Sequence, residues 1–175
     1  MLVSAGSLLL RIVVGLLLAG HGSQKLFGWF GGGGFAATTG WIGKMGLRPV
    51  RLWALLASLS EFGGGILLVL GFLCPLGSLA VSAAMLMAIA KVHWPKGMWA
   101  SKGGMEFPLT NLAVALALAL IGPGLFSIDG VLRIALPEPL TLLGGLALVI
   151  LGVAAAFLSQ TRPAAQSPQP GGSKG

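Results

Sequence analysis

The sequence predicts an all-α integral membrane protein, a bundle of five transmembrane helices, and three observations carry that expectation. Hydrophobic residues make up 55% of the 175 positions and charged residues only 9%, against roughly 25% charged in an ordinary soluble domain. With a mean hydropathy of +0.94, the chain cannot cover a water-facing surface. Its apolar residues also fall into separate runs, mostly near the ~20 residues that a helix needs to cross a bilayer. No alternating pattern suggests a barrel, and an open sheet cannot satisfy its edges in lipid. Helices remain.

The first run covers residues 6–27 and is interrupted by Arg11 and His21. It lacks the basic start and the cleavage site of a signal peptide, so it reads as a retained span. The second covers 50–72 and contains Glu61. The third, 75–94, opens on Pro75, a residue suited to a helix's first turn. Only Leu73, Cys74 and Pro75 link the two, which forces an antiparallel hairpin. The fourth run, 108–121, is short and stops at Gly122-Pro123-Gly124, and the fifth, 140–158, carries no charge. Residues 1–159 thus form the transmembrane bundle, and 160–175, rich in Pro, Gly, Ser and Gln, are expected to be a disordered tail.

Charge placement suggests an orientation. Nine of the eleven Lys and Arg residues flank one set of span ends: Lys25, Lys44, Arg48, Arg51, Lys91, Lys96, Lys102, Arg162 and Lys174. The other two are Arg133 and the embedded Arg11. Basic loops stay in the cytoplasm, so the N-terminus is expected outside and the C-terminus inside a prokaryotic cell membrane. The net charge of +7 is spread over span ends and forms no phosphate-binding patch, which argues against nucleic acid.

Glu61 lies at the middle of the second run and is one of only four acidic residues. A carboxylate at that depth costs about 2.5–3.5 kcal/mol unless it is compensated, so an intramembrane acid is a functional-site hypothesis by default. On a helical projection Gly15, Gly22, His21 and Lys25 fall with Arg11 inside about 120°. Ala54, Ala57, Ser58, Gly64 and Gly65 fall within about 60° of Glu61. Small residues permit close approach in lipid, so these faces should meet. With the spans aligned, Arg11 lies roughly 7.5 Å along the axis from Glu61. An Arg11–Glu61 pair at a buried polar centre is the expectation, as a register device or as a proton or ligand site.

His21, Lys25, His93 and Glu106 gather at the opposite side as candidate ligand-binding residues. Two histidines on separate helices could contact a quinone carbonyl or, less readily, ligate a haem; each could equally serve helix packing. Glu106 opens the fourth run, where the helix dipole favours an acid and capping alone would explain it. No metal site is expected, since Cys74 is the only cysteine and cannot form a cysteine cage. Gly31 to Gly34 lack the Lys-Ser/Thr of a phosphate loop and read as flexible or interfacial loop. The five tryptophans lie near span ends, as an interface belt requires, and Met85 and Met87 read as packing residues.

In order and spacing several segments resemble the DoxX family of small membrane proteins. They are Arg11 with His21-Gly22-Ser23-Gln24-Lys25-Leu26-Phe27-Gly28-Trp29, then Glu61-Phe62-Gly63-Gly64-Gly65, Ala90-Lys91-Val92-His93, Gly103-Gly104-Met105-Glu106-Phe107-Pro108 and Gly122-Pro123-Gly124-Leu125-Phe126-Ser127-Ile128-Asp129. The resemblance implies a four-helix DoxX-like core, to which the fifth span and the tail are additions. It also implies a link to membrane redox complexes, since related proteins include a subunit of a thiosulfate:quinone oxidoreductase. No sulfur-relaying cysteine pair is present here.

The leading functional expectation is a non-autonomous membrane subunit supporting redox chemistry, quinone-linked or docking a soluble oxidoreductase. The alternatives are an assembly protein without catalysis and a small-solute or proton pathway centred on Glu61. Candidate partners are the lipid bilayer, a membrane or soluble redox protein, and further copies of the chain.

Overall fold

The computed structural model describes residues 1–137 and 139–161. Among the described residues seven α-helices follow one another: α1 (Leu2–Phe27), α2 (Gly34–Lys44), α3 (Val50–Leu70), α4 (Cys74–Ala88), α5 (Glu106–Ile121), α6 (Ile128–Leu132) and α7 (Leu140–Leu158). A π turn at Ile89–His93 and a 3-10 turn at Trp94–Lys96 carry α4 onward, giving a continuous 23-residue span from Cys74 to Lys96. With that extension, α1, α3, α4 and α7 are long and apolar enough to cross a membrane, while α5 is a shorter apolar helix. The protein is a helical membrane bundle.

Local chemistry explains the helix ends. Gly28 closes α1 in the left-handed conformation, with φ 76°. At the end of α3, Gly71 (φ 61°) donates to Leu68 O and Phe72 donates to Leu67 O, both at 3.0 Å. These are the two bonds of a Schellman cap. Pro75 sits in the first turn of α4, where its missing N–H costs nothing. Ser127 caps α6 by accepting the Gly130 N–H at 2.9 Å.

Packing between α1 and α3 rests on backbone contact. A Cβ on Gly15 would lie 2.7 Å from Gly65 O, and one on Gly65 would lie 2.5 Å from Ala19 N. Small residues at these positions let two helices approach closely in lipid, where van der Waals packing drives association. The centre of the bundle is filled by Val14, Leu18, Leu68, Val81, Met85 and Leu118. A second cluster joins Ile42, Leu47, Ala54 and Ala156, with Phe35 and Trp53 against it.

Two segments add to the expected spans. The apolar runs predicted no helix between the first and second spans, yet Trp29–Gly31 makes a 3-10 turn and, beyond the glycine run, α2 begins at Gly34. Ile42 and Thr38 supply its buried face, and burial against α1 and α3 outweighs the poor helix propensity of its glycines. The chain beyond α7 also starts ordered. Leu47 and Gln160 form an antiparallel bridge, and the Thr161 N–H donates to Gly46 O at 3.0 Å. The remainder of the expected tail, from Arg162, lies outside the described residues.

Candidate functional site: an apolar cleft with a buried ion pair

Lys25 and Glu61 form the only salt bridge among the described residues, with Lys25 Nζ 2.5 Å from Glu61 Oε1. Their side chains are 28% and 6% exposed. The pair stands in the wall of a cleft of about 380 Å³ bounded by α2, α3, α4 and α7. Small side chains on α3 and α4 (Ala57, Ala80, Ala84) and Gly152 on α7 make its sides smooth, and Trp41 and Trp53 line it as well. The other Glu61 oxygen, Oε2, is buried and accepts no hydrogen bond among the described residues. Buried carboxylate oxygens are normally satisfied, so an unpartnered one at a cleft wall calls for an explanation.

The expected Arg11–Glu61 pair is not formed. The close approaches of Gly15 to Gly65 and of Gly22 to Phe62 set the α1–α3 register. In that register Arg11 stands about ten residues, roughly 15 Å, from the level of Glu61. Lys25, on the same face of α1, reaches Glu61 instead. Arg11 is fully buried at the other end of the bundle. There its guanidinium donates to Leu68 O at 3.2 Å, Val69 O at 3.4 Å and Phe126 O. It thus takes up the last carbonyls of α3, where the helix dipole is negative.

Sequence reasoning gave Asp129 no role, and it is the partner of this arrangement. Its carboxylate accepts the Leu73 and Cys74 N–H groups, each at 2.9 Å, at the positive start of α4. The Asp129 N–H in turn donates to Gly71 O at 3.0 Å. A Cβ on Gly71 would collide with the Arg11 guanidinium, so glycine is required both for the turn and for the approach. Its signal in the sequence was rarity: Asp129 is one of four acids.

The remaining candidates are dispersed. His21 packs edge-on against Phe107 at 5.5 Å, and its Nδ1 lies 3.2 Å from Gln24 Oε1. His93 Nδ1 lies 2.7 Å from Gly103 O, and Glu106 Oε2 accepts the Ala100 N–H at 2.9 Å. His93 and Glu106 therefore hold the loop between α4 and α5, and neither lines the cleft. Among the described residues no group of three or more His, Cys, Asp or Glu side chains comes together as a metal site.

The DoxX family model matches residues 6–94, half of the chain. The chain belongs to the DoxX family. No curated protein and no solved structure matches it. In this DoxX protein the matched residues contain α1 to α4, hence Arg11, Lys25, Glu61 and Lys91. Asp129 and the α7 wall of the cleft lie beyond them.

Lys91, one of the basic residues at the span ends, also lines the cleft. It sits in the π turn, with its Nζ 3.1 Å from the centre of the Phe157 ring and 2.7 Å from Gln160 Oε1.

Proposed function

We propose that this DoxX protein is a membrane subunit that holds a quinone-class ligand in the cleft and supports redox chemistry completed by a partner oxidoreductase. One observation carries the reading: a lysine–glutamate pair with a free carboxylate oxygen stands in the wall of a mostly apolar cleft. The Lys25 ammonium has donors for a ligand carbonyl, and Glu61 Oε2 can accept from a ligand hydroxyl. A quinone and its quinol present those two groups on one ring, with an apolar tail for the rest of the cleft. Mostly apolar lining with a few placed polar groups is the usual make-up of a small-molecule site. Trp41 and Trp53 offer aromatic surface to a ring.

The protein purified in lipid nanodiscs should quench its tryptophan fluorescence saturably when titrated with a short-tailed quinone. Gly152→Leu should abolish that response without unfolding the bundle, because a Cβ at Gly152 meets no atom within 4 Å and the larger side chain fills the cleft. Absence of saturable quenching, together with absence of quinone in lipid extracts of the native protein, would sink the reading.

The same reading places the basic span ends on the cytoplasmic side of a prokaryotic membrane, with the N-terminus outside. In a Cys74→Ser background, labelling single cysteines introduced at residues 2 and 102 with an impermeant reagent tests it, with only the former labelled in intact cells.

A further inference from the structure

We infer that Lys91 makes the cleft selective for an anionic head group, so that the ligand held there is the ionised form of an oxygen-bearing ring. The inference rests on the cleft reading above but concerns the charge of the occupant. Three ionisable side chains line the cleft, Lys25, Glu61 and Lys91. Lys25 and Glu61 neutralise each other at 2.5 Å. Among the described residues Lys91 meets no carboxylate: its partners are the neutral Gln160 amide at 2.7 Å and the Phe157 ring face at 3.1 Å. One positive charge is therefore uncompensated in an otherwise apolar cleft.

A structural role accounts for part of this. Lys91 fastens the end of α7, since Gln160 also donates to Met45 O at 2.9 Å and bridges to Leu47. Fastening alone does not require a charge, because a neutral donor would serve Gln160 equally well. Lys91 is half-buried, so its charge attracts an anion more strongly than it would in bulk water. The charge complementary to this cleft is a single negative one on a flat, aromatic-compatible head, beside Trp41 and Trp53.

The test uses the full chain in zwitterionic nanodiscs at neutral pH and three probes with the same alkyl tail. They are an alkyl hydroxynaphthoquinone, ionised at that pH, its neutral O-methyl ether, and the corresponding fatty acid. The ionised quinone should bind at least about tenfold more tightly than the ether, the scale of one partly screened charge pair. Lys91→Gln should bring that ratio close to one. Lys91→Arg, which keeps the charge, and Gln160→Ala, which keeps it while loosening α7, should both preserve the ratio. A ratio near one in the unaltered protein overturns the inference, and so does an unchanged ratio in Lys91→Gln. The first comparison needs no variant and decides the matter even if Lys91→Gln does not fold. If both quinones bind equally, charge selection fails and the quinone reading survives. If only the fatty acid binds, and does so through Lys91, the quinone reading fails and selection for an anionic head survives. If no probe binds, both fall.

Discussion

Arg11 and Asp129 grip the α3–α4 hairpin from its two sides. The guanidinium takes carbonyls at the end of α3, and the carboxylate takes N–H groups at the start of α4. Each charge faces the end of the helix dipole that favours it. Both side chains are buried, and apart from Leu68 O, which also accepts the Gly71 N–H, the groups they satisfy have no other partner among the described residues in a region with little water. The clamp is structural, and it stands at the opposite end of the bundle from Lys25.

Removing one side of the clamp should cost stability without touching the cleft. Asp129→Ala deletes two hydrogen bonds to a charged acceptor, each of about 1.5–3 kcal/mol. A clear fall in the detergent unfolding midpoint is expected, with quinone quenching retained at temperatures where the protein is folded. An unfolding midpoint equal to that of the unaltered protein would show that the clamp contributes nothing.

The ion pair makes a different prediction. Lys25→Met should destabilise by about 3–5 kcal/mol, because it leaves the buried Glu61 carboxylate unpaired, and Glu61→Gln by less, because Lys25 is part-exposed and can be solvated. The double variant Glu61→Met with Lys25→Met should recover much of the loss. A double-mutant cycle on the unfolding free energy measures it, and simple additivity would contradict a direct pair.

Two glycines of α3 separate packing from propensity. A Cβ on Gly65 meets backbone atoms of α1, whereas a Cβ on Gly63 meets nothing within 4 Å. Gly65→Ala should force α1 and α3 apart and reduce folded yield. Gly63→Ala should be neutral or raise stability by about 0.5–1 kcal/mol, the helical advantage of alanine. Equal effects at the two sites would contradict the close helix contact.

The contacts of Gln160 and Thr161 with the Met45–Leu47 strand of loop should hold the end of α7. Ending the chain at Ser159 should raise amide exchange in α7 while leaving α1 and α3 protected. Hydrogen-exchange mass spectrometry in nanodiscs reads this directly, and unchanged α7 protection would mean that packing on α4 suffices.

The membrane bundle was legible because lipid imposes strict composition and length: a run such as 140–158 has one workable fold in hydrocarbon. The polar faces of α1 and α3 were legible from periodicity, since the projection placed Arg11, Gly15, Gly22 and Lys25 together. The helix α2 was not, because its glycines carry little local preference and its burial depends on elements distant in sequence.

Pairing was decided only in three dimensions. Arg11 and Lys25 share one face of α1, so angle alone could not choose which of them meets Glu61. The axial register did, and it depends on where Gly15, Gly22 and Gly65 let two backbones touch. Asp129 and Lys91 gained their roles in the same way. The residues they serve, Leu73, Cys74 and Gln160, are separated from them by 55 to 69 positions. Composition and period thus determined what the protein is made of and where it resides. Close packing of small residues determined which charges meet, because a shift of a few residues along a helix moves a side chain farther than it can reach.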